Sequence, residues 1–366
     1  MAPERYIGLM SGTSVDGVDA IVADFASAPP RLAFAHIGFA PALRAELNAL
    51  QAPGPDEIHR AALAANALMD CCSEAVAAVL ERAALANADI RAIGLHGQTV
   101  RHRPELGFTT QLANPARLAE ATGITVVADF RSRDIAAGGQ GAPLAPAFHA
   151  AFFRRPDRHR AVINLGGIAN VTDLPPQGPI RGFDTGPGNT LLDAWCECHT
   201  GARFDRGGAW AATGHVHGEL LAALECDPYF ASPPPKSTGR DRFNVAWLER
   251  HLGALRSSPA AEDVQRTLLA LTARTIADAV AAWCEGADEV LFCGGGANNG
   301  LLASELGSAL EPRASATTAS VGIPVTEVEA LGFAWLARET LAGRAASLPS
   351  VTGARGTRIL GAIYRA

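Results

Sequence analysis

The chain has 366 residues, of which 48% are hydrophobic and 19% are charged, and its formal net charge is −6. This length exceeds what one hydrophobic core usually covers, so we expect two domains with the composition of a packed soluble enzyme. The negative charge argues against a nucleic-acid-binding surface and against a basic membrane anchor. We expect no signal peptide and no membrane span, because strand-like residues begin at position 6 and no apolar run is long enough.

The seven cysteines are scattered along the chain and form no CxxC pair. The segment Cys196-Glu197-Cys198-His199 resembles half of a metal site, but no second pair follows it at zinc spacing. We therefore expect reduced thiols in a cytoplasmic protein, since disulfides are rare in that compartment.

Residues 6–24 predict a strand, a glycine turn and a second strand. The turn reads Ser11-Gly12-Thr13-Ser14-Val15-Asp16-Gly17, and Asp19 follows it. Backbone N–H groups of such a turn can bind phosphate oxygens, and Asp16 or Asp19 can hold Mg²⁺ directly or through water. The alternative is an ordinary hairpin in which Asp and Gly only form the turn.

Polar side chains follow two later predicted strands, residues 89–94 and 124–128. In open α/β sheets, ligands bind outside the carboxyl ends of strands. The side chains that we expect to contact a ligand there are Gln98, Thr99 and Arg131. We expect His96 to be packed or hydrogen-bonded within the protein instead.

The small-residue passage 136–143 contains three glycines and predicts a hinge at a domain boundary. Residues 161–174 then repeat the design of the first hairpin, with Gly166 and Gly167 in the turn. Two hairpins of the same design indicate an internal duplication, in which both turns contact one phosphate chain. The predicted domains are 1–140 plus 350–366, and 141–349.

Asp184 lies in the stretch Gly182-Phe183-Asp184-Thr185-Gly186-Pro187-Gly188-Asn189. The pattern predicts a short strand ending near Asp184, then a glycine turn that points its N–H groups at a ligand, then a helix from Leu191. A carboxylate in such a position suits a general base or an anchor for a sugar hydroxyl. The alternative is a turn or cap former.

Lys236 is the only lysine in the chain and lies in the proline-rich loop 232–242. Its flexible ammonium can reach a phosphate or a substrate carboxylate, and the alternative is a solvated loop. A buried strand at 289–293 enters Gly294-Gly295-Gly296, which leaves room for an adenine or a ribose beside the next helix. This is not a Walker P-loop. Glu329, at the first turn of a later helix, is a second carboxylate candidate, or else a simple helix-start charge.

Taken together, these motifs resemble the sugar kinase and actin-like ATPase superfamily, and most closely the anhydro-N-acetylmuramic acid kinase family. The blocks that carry the resemblance are Met10–Asp19 (MSGTSVDGVD), His96–Pro104 (HGQTVRHRP), Asp129–Pro143 (DFRSRDIAAGGQGAP), Asn164–Asn170 (NLGGIAN), Asp184–Asn189 (DTGPGN), Pro235–Arg240 (PKSTGR) and Cys293–Asn299 (CGGGANN). They span nearly the whole chain. Residues 204–208 and 322–325 match more loosely.

The resemblance implies a two-domain α/β actin-like ATPase fold, which is a duplicated ribonuclease H-like fold with an interdomain cleft. It implies a cytoplasmic enzyme of cell-wall (peptidoglycan) recycling that uses ATP and Mg²⁺. The enzyme would open the 1,6-anhydro bridge of 1,6-anhydro-N-acetylmuramic acid with water and phosphorylate O6. The expected partner is this small amino sugar, without nucleic acid or membrane, and a homodimer is a possible assembly.

The resemblance and the residue patterns above together assign residues to roles. Asp184 matches the catalytic base and a substrate contact. The residues expected to bind ATP are Gly12, Thr13, Ser14, Val15, Asp16, Gly17, Val18, Asp19, Gly166, Gly167, Gly294, Gly295, Gly296 and Asn298, with Asp16 and Asp19 also expected at Mg²⁺. The other residues expected to bind substrate are Gln98, Thr99, Arg131 and Glu329. Two alternatives stay open: a kinase of the same fold acting on another small sugar or carboxylate, and a non-enzymatic ATP switch.

Overall fold

A computed structural model describes residues 3–12, 14–239 and 241–366. Within these residues the strands are β1 (Arg5–Met10), β2 (Gly17–Asp24), β3 (Arg31–Gly38), β4 (Ala92–Leu95), β5 (Gln98–Arg103), β6 (Phe108–Leu112), β7 (Val126–Ala128), β8 (Arg160–Leu165), β9 (Ile168–Leu174), β10 (Arg181–Pro187), β11 (Glu289–Cys293), β12 (Ala314–Thr317) and β13 (Ala362–Tyr364). The helices are α1 (Pro41–Ala49), α2 (Glu57–Ala83), α3 (Pro115–Thr122), α4 (Ser132–Ala136), α5 (Ala145–Phe153), α6 (Asn189–Thr200), α7 (Gly218–Glu225), α8 (Pro228–Ala231), α9 (Val245–Gly253), α10 (Ala261–Trp283), α11 (Gly300–Ala309), α12 (Val328–Leu341) and α13 (Pro349–Thr352).

The chain divides into two compact units, the first made of Met1–Phe148 with Glu327–Ala366 and the second of His149–Thr326. The predicted domain bounds differ from these units: the prediction assigned residues 141–148 and 327–349 to the second domain, whereas in the structure they belong to the first unit. Residues 327–349 belong to the first unit because α12 packs against strands β1 and β4 of that unit. A Cβ added at Gly8 of β1 would lie 1.8 Å from the Ala330 carbonyl oxygen, and one at Gly94 of β4 would lie 2.0 Å from that of Phe333. The two glycines therefore allow this helix to approach the sheet closely.

The sheet of the first unit has the order β13-β7-β4-β1-β2-β3. Strands β1, β2 and β3 are antiparallel neighbours, and β4 and β7 continue from β1 in parallel. Helix α2 contributes buried residues, among them Leu68, Met69 and Val76, to the core of this unit. By length and composition alone α2 could cross a membrane, but half of its most apolar window is buried in the protein, as in a core helix.

The sheet of the second unit has the order β10-β9-β8-β11-β12. Strands β8, β9 and β10 are antiparallel neighbours, and β11 and β12 continue from β8 in parallel. The apolar face of α10, with Leu268, Leu271 and Ile276, lies in the core of this unit. The predicted hairpin at 161–174 is confirmed as β8 and β9.

The two units share one topology. Counted along each unit, the five main strands lie in the order third, second, first, fourth, fifth, with the second strand antiparallel to its neighbours. This is the arrangement of a ribonuclease H-like sheet, and it occurs twice in the chain. The predicted α/β fold and internal duplication are therefore confirmed.

The glycine passage 136–143 is held within the first unit. The Gly141 N–H donates to Asp134 Oδ2 at 2.8 Å, and the Gln140 N–H donates to the Thr352 carbonyl at 2.8 Å. A Cβ on Gly139 would lie 2.2 Å from Asp134 Oδ2, so a glycine is required at this close approach. The prediction of a boundary at this passage is wrong, because the chain passes from the first unit to the second after Phe148 and returns to the first after Thr326.

Candidate active site

The first glycine turn joins β1 to β2, and Thr13 within it lies outside the described residues. Ser14 and Asp16 are exposed, and the Ser14 hydroxyl donates to Asp16 Oδ1 at 2.7 Å. The buried side chain of Val15 anchors the turn in the core, although its φ of 50° is a strained conformation for a β-branched residue. Val18 is also buried. Of the predicted ATP contacts, Val15 and Val18 can therefore offer only their backbone.

The two acids proposed for Mg²⁺ have different surroundings. The Asp19 carboxylate lies 2.7 Å from His36 Nδ1, which donates a hydrogen bond to it. Burial raises the pKa of the Asp19 carboxyl, and the contact with His36 opposes that rise. Asp16 is exposed. Among the described residues no group of three His, Cys, Asp or Glu could hold a metal by itself. Mg²⁺ commonly binds to one or two carboxylates plus substrate phosphates, and these residues fit that role and not a closed site.

Gln98 lies beneath the first glycine turn. Its side chain is 1% exposed, its amide nitrogen donates to the Gly12 carbonyl at 3.2 Å, and its amide oxygen accepts from the Ser11 hydroxyl. Both ends of the amide are therefore used to hold the turn. The structure places Gln98 as a support of the predicted phosphate turn more than as a group open to a sugar.

Arg131 connects this turn to the region predicted to bind substrate. Its Nη1 donates to the Gly141 carbonyl at 2.9 Å and its Nη2 to His96 Nε2 at 2.9 Å, and His96 Nδ1 donates to the Ser11 carbonyl at 3.0 Å. Burial and the positive charge of Arg131 lower the pKa of His96 to about 3, so the ring is neutral. The prediction of a hydrogen-bonded His96 is confirmed.

The Nε of the Arg131 guanidinium is a buried donor that has no hydrogen-bond partner among the described residues. Burial lowers the pKa of Arg131 to about 10, and the negative charge of Glu329, at the first turn of α12, opposes that shift. Thr99 is partly exposed, and its hydroxyl oxygen accepts a hydrogen bond from Gln111 Nε2 at 3.3 Å. The predicted substrate residues other than Asp184 thus all belong to the first unit.

Asp184 lies in the middle of β10 and not at the end of a strand, so that prediction is wrong. The strand continues to Pro187 past a β-bulge between Asp184 and Gly186, at the edge of the second sheet. The N–H groups of Gly188, Asn189 and Thr190 bond to the carbonyls of the Gly166–Gly167 turn, so they do not point at a ligand as predicted.

The backbone around Asp184 fixes its carboxylate. The Thr238 N–H donates to Oδ2 at 3.0 Å, the Asp184 N–H donates to the Lys236 carbonyl at 3.2 Å, and the Tyr229 hydroxyl donates to the Asp184 carbonyl at 2.8 Å. Burial raises the pKa of Asp184 to about 6, while the Thr238 N–H and the Lys236 charge act in the opposite direction. Among the described residues Oδ1 accepts no hydrogen bond, so it is the oxygen available to a water or a hydroxyl.

Lys236 is partly exposed, and its ammonium is hydrogen-bonded within the second unit. Its ammonium donates to the carbonyls of Tyr229 at 3.1 Å and Phe230 at 3.0 Å and lies 4.7 Å from the centroid of the Tyr229 ring. The sequence pattern suggested a phosphate or carboxylate contact, whereas the structure gives Lys236 contacts inside the second unit. Tyr229 and Thr238 were not identified from the sequence, since neither carries a motif beyond the Lys236 loop.

The three glycines after β11 have two different roles. A Cβ on Gly294, whose φ is +83°, would lie 2.3 Å from Asn164 Oδ1, and one on Gly296 would lie 2.8 Å from Asn189 Oδ1. Gly295 and Asn298 are exposed, and nothing lies within 4 Å of a Cβ added at Gly295. Gly294 and Gly296 are therefore required for packing, whereas Gly295 and Asn298 are free to meet a ligand.

A duplicated ribonuclease H-like sheet with glycine turns after its first strands defines a protein of the sugar kinase and actin-like ATPase class. The family model for anhydro-N-acetylmuramic acid kinase matches residues 4–366. The chain belongs to the anhydro-N-acetylmuramic acid kinase family.

Relatives of that name are similar over almost their whole length. The protein from Thiobacillus denitrificans is 54% identical over 99% of this chain and 98% of its own length. That from Bordetella petrii is 56% identical over 99% of this chain and 96% of its own length. A solved structure, the activator of 2-hydroxyisocaproyl-CoA dehydratase from Clostridium difficile, covers 90% of this chain and 92% of its own at a TM-score of 0.48 and 13% identity. That likeness is too low to inform function.

Proposed function

We propose that this protein is an ATP-dependent kinase that opens the 1,6-anhydro bridge of 1,6-anhydro-N-acetylmuramic acid and phosphorylates O6. The products are N-acetylmuramic acid 6-phosphate and ADP, as expected of an enzyme of cell-wall recycling. Membership of the family and near-complete coverage of relatives with this name support the proposal. The observation that carries the chemistry is Asp184, whose Oδ2 is held by the Thr238 N–H while Oδ1 stays available.

The substrate sets an unusual requirement. Its O6 is part of an ether bridge and has no proton to lose, so the base must act on water instead. Asp184 takes a proton from a water molecule as that water forms a bond to the anomeric carbon, as a base does in an inverting glycosidase. The bond from the anomeric carbon to O6 breaks, and O6 forms its new bond to the γ-phosphorus of ATP as ADP leaves. A pKa of about 6 leaves Asp184 ionised, and still basic, near neutral pH.

Phosphoryl transfer depends mainly on positioning and charge stabilisation. We assign the backbone of Gly12–Asp19 and of Gly166–Gly167 to the phosphates of ATP, and Gly295 with Asn298 to its nucleoside. Asp16 and Asp19 are the residues that would hold Mg²⁺, which neutralises charge on the transferred phosphoryl group when bound. Gln98 and His96 hold the first turn in place.

On the sugar side, we assign Arg131, Thr99 and Glu329 to substrate binding. The free Nε donor of Arg131 suits an acceptor oxygen of the substrate, such as the carboxylate of a lactyl group. Arg131, Thr99 and Glu329 belong to the first unit, and Asp184 belongs to the second. We further expect a cytoplasmic enzyme, and a homodimer as one assembly to test.

The proposal is tested by measuring ADP release with purified protein, ATP and Mg²⁺ across candidate acceptors. We expect turnover with 1,6-anhydro-N-acetylmuramic acid and little with N-acetylmuramic acid, N-acetylglucosamine or small carboxylates. Faster turnover with a free sugar would favour the alternative, a kinase of the same fold that deprotonates a hydroxyl. ATP hydrolysis without any acceptor dependence would favour a nucleotide switch.

A further inference from the structure

Among the described residues, the ammonium of Lys236, the single lysine of the chain, donates to the Tyr229 and Phe230 carbonyls and lies against the Tyr229 ring. We propose that Lys236 is a positioning residue for Asp184: it links the two segments that hold this carboxylate and places a fixed positive charge next to it. The inference rests on the proposed function, in which Asp184 is the base that activates water.

The first part of the argument is mechanical. Asp184 is held by two segments, α8 through the Tyr229 hydroxyl and residues 236–238 through the Lys236 carbonyl and the Thr238 N–H. The Lys236 ammonium donates to two carbonyls of α8, so it joins these segments to each other. Loss of the ammonium frees the loop from α8 and loosens the geometry around Oδ2.

The second part is electrostatic. Burial raises the pKa of Asp184 and lowers that of Lys236, and the opposite charge of each partner opposes the shift of the other. Among the described residues, the other titratable group in contact with Asp184 is the Tyr229 hydroxyl. The Arg242–Asp227 ion pair, 2.5 Å long, lies against that ring, with the guanidinium 5.4 Å from its centroid. Among the described residues, Lys236 is therefore the cation whose charge acts on the carboxylate.

The use of lysine at position 236, in place of arginine, indicates that an ammonium group is required there. The chain has 31 lysines and arginines, and Lys236 is the only lysine among them, so arginine is the general choice of this sequence. An ammonium is compact and points three donors in different directions, whereas a guanidinium is a planar fork. Two carbonyls and a ring face around one nitrogen suit the ammonium.

The kinetic test compares Lys236→Met and Lys236→Arg with wild type, and Arg256→Met is the control for loss of an exposed charge in the same unit. We expect Lys236→Met to lower kcat with little change in the KM for ATP. We also expect the midpoint pH, at which kcat/KM falls to half on the acid side and which reports the ionisation of Asp184, to rise by about one unit. The reason is that loss of a nearby positive charge raises the pKa of a carboxyl by about one unit or more. Lys236→Arg should restore the midpoint but only part of kcat. A folded Lys236→Met enzyme with the wild-type midpoint would overturn the proposal.

A second test does not depend on activity. Protein grown with lysine labelled with ¹³C at Cε gives one lysine side-chain resonance, which can be followed from pH 5 to 7.5. We expect this resonance to shift with a midpoint near 6 as Asp184 ionises in wild type, and to stay constant in Asp184→Asn. A constant resonance in both proteins would refute the pairing. If the pairing is found but the anhydro sugar is not a substrate, the proposed function fails and the positioning role of Lys236 stands.

Discussion

The Arg131 guanidinium donates a hydrogen bond to His96 Nε2 over 2.9 Å, and this contact fixes the other ring nitrogen as a donor to the Ser11 carbonyl. A residue assigned to the sugar is thereby connected through one neutral imidazole to the turn assigned to phosphate. The first prediction concerns this imidazole.

Replacing His96 with Phe should destabilise the first unit and weaken binding of both ligands. The change leaves an Arg131 donor and the Ser11 carbonyl unpaired, at a cost of about 1–3 kcal/mol for a buried polar group. His96→Gln, which keeps a donor and an acceptor, should lose less. Thermal unfolding and the KM values for sugar and ATP measure the two effects. A wild-type Tm and unchanged KM values in His96→Phe would show that the imidazole does not connect the two regions.

Replacing Asp184 with Asn should remove turnover without removing ATP binding. A positioned general base contributes about 10²–10⁴ to rate, and Asn keeps the size and the acceptor for the Thr238 N–H. Turnover is measured by ADP release, and ATP binding by calorimetry of the same sample. Near-normal turnover of the purified variant would remove Asp184 from the role of base.

The same substitution should stabilise the protein at neutral pH. Burial raises the folded-state pKa of Asp184 from 3.8 to about 6, so its contribution to stability is complete below about pH 3.8 and is lost as the pH rises through about 6. Asn avoids that loss, and we expect it to be more stable by about 1–3 kcal/mol at pH 7.5. Urea unfolding at pH 7.5 and pH 4.5 checks this. An advantage of equal size at both values would mean that ionisation is not its source.

The three glycines after β11 can be separated by alanine substitution. Gly295→Ala should leave the free energy of unfolding unchanged and raise the KM for ATP, because its added methyl group meets open space where we assign the nucleoside. Gly294→Ala should lower the free energy of unfolding by about 1–3 kcal/mol, since its methyl group would overlap Asn164 and its φ is positive. If Gly295→Ala binds ATP like wild type, this turn does not contact the nucleotide.

Removing one acid at the first turn should change the requirement for Mg²⁺. Asp16 is exposed and its only described side-chain hydrogen bond is with Ser14, so Asp16→Asn should fold normally. We expect the Mg²⁺ concentration for half-maximal rate to rise about tenfold or more, the effect typical of a changed metal environment. Glu120→Gln, an exposed acid elsewhere in the first unit, is the control. An unchanged Mg²⁺ dependence would exclude Asp16 from the metal site.

Much of this architecture could be read from the sequence. Two apolar strands flanking a glycine turn predict a hairpin wherever they occur, and β1 with β2 and β8 with β9 follow that pattern. The assignment of α12 failed because an apolar helix does not indicate which of two sheets it covers. Only the close approach of its backbone to Gly8 and Gly94 identifies that sheet.

The surroundings of Asp184 were harder to predict, for two physical reasons. Gly186 and Pro187 are poor strand formers and suggested a loop, but an edge strand with a bulge accommodates both. Lys236 and Thr238 contact Asp184 although they lie about fifty residues further along the chain, and no local sequence pattern indicates such a pairing.

The central claim is that Asp184 activates a water molecule that opens the anhydro bridge. Turnover in ¹⁸O-water, followed by mass spectrometry of the sugar phosphate, tests it most directly, and product incubated alone in labelled water corrects for exchange at the anomeric carbon. We predict one ¹⁸O atom at the anomeric carbon and none in the phosphate ester. Product formed without label at the anomeric carbon would contradict the claim, because the bridge would then not have been opened by water.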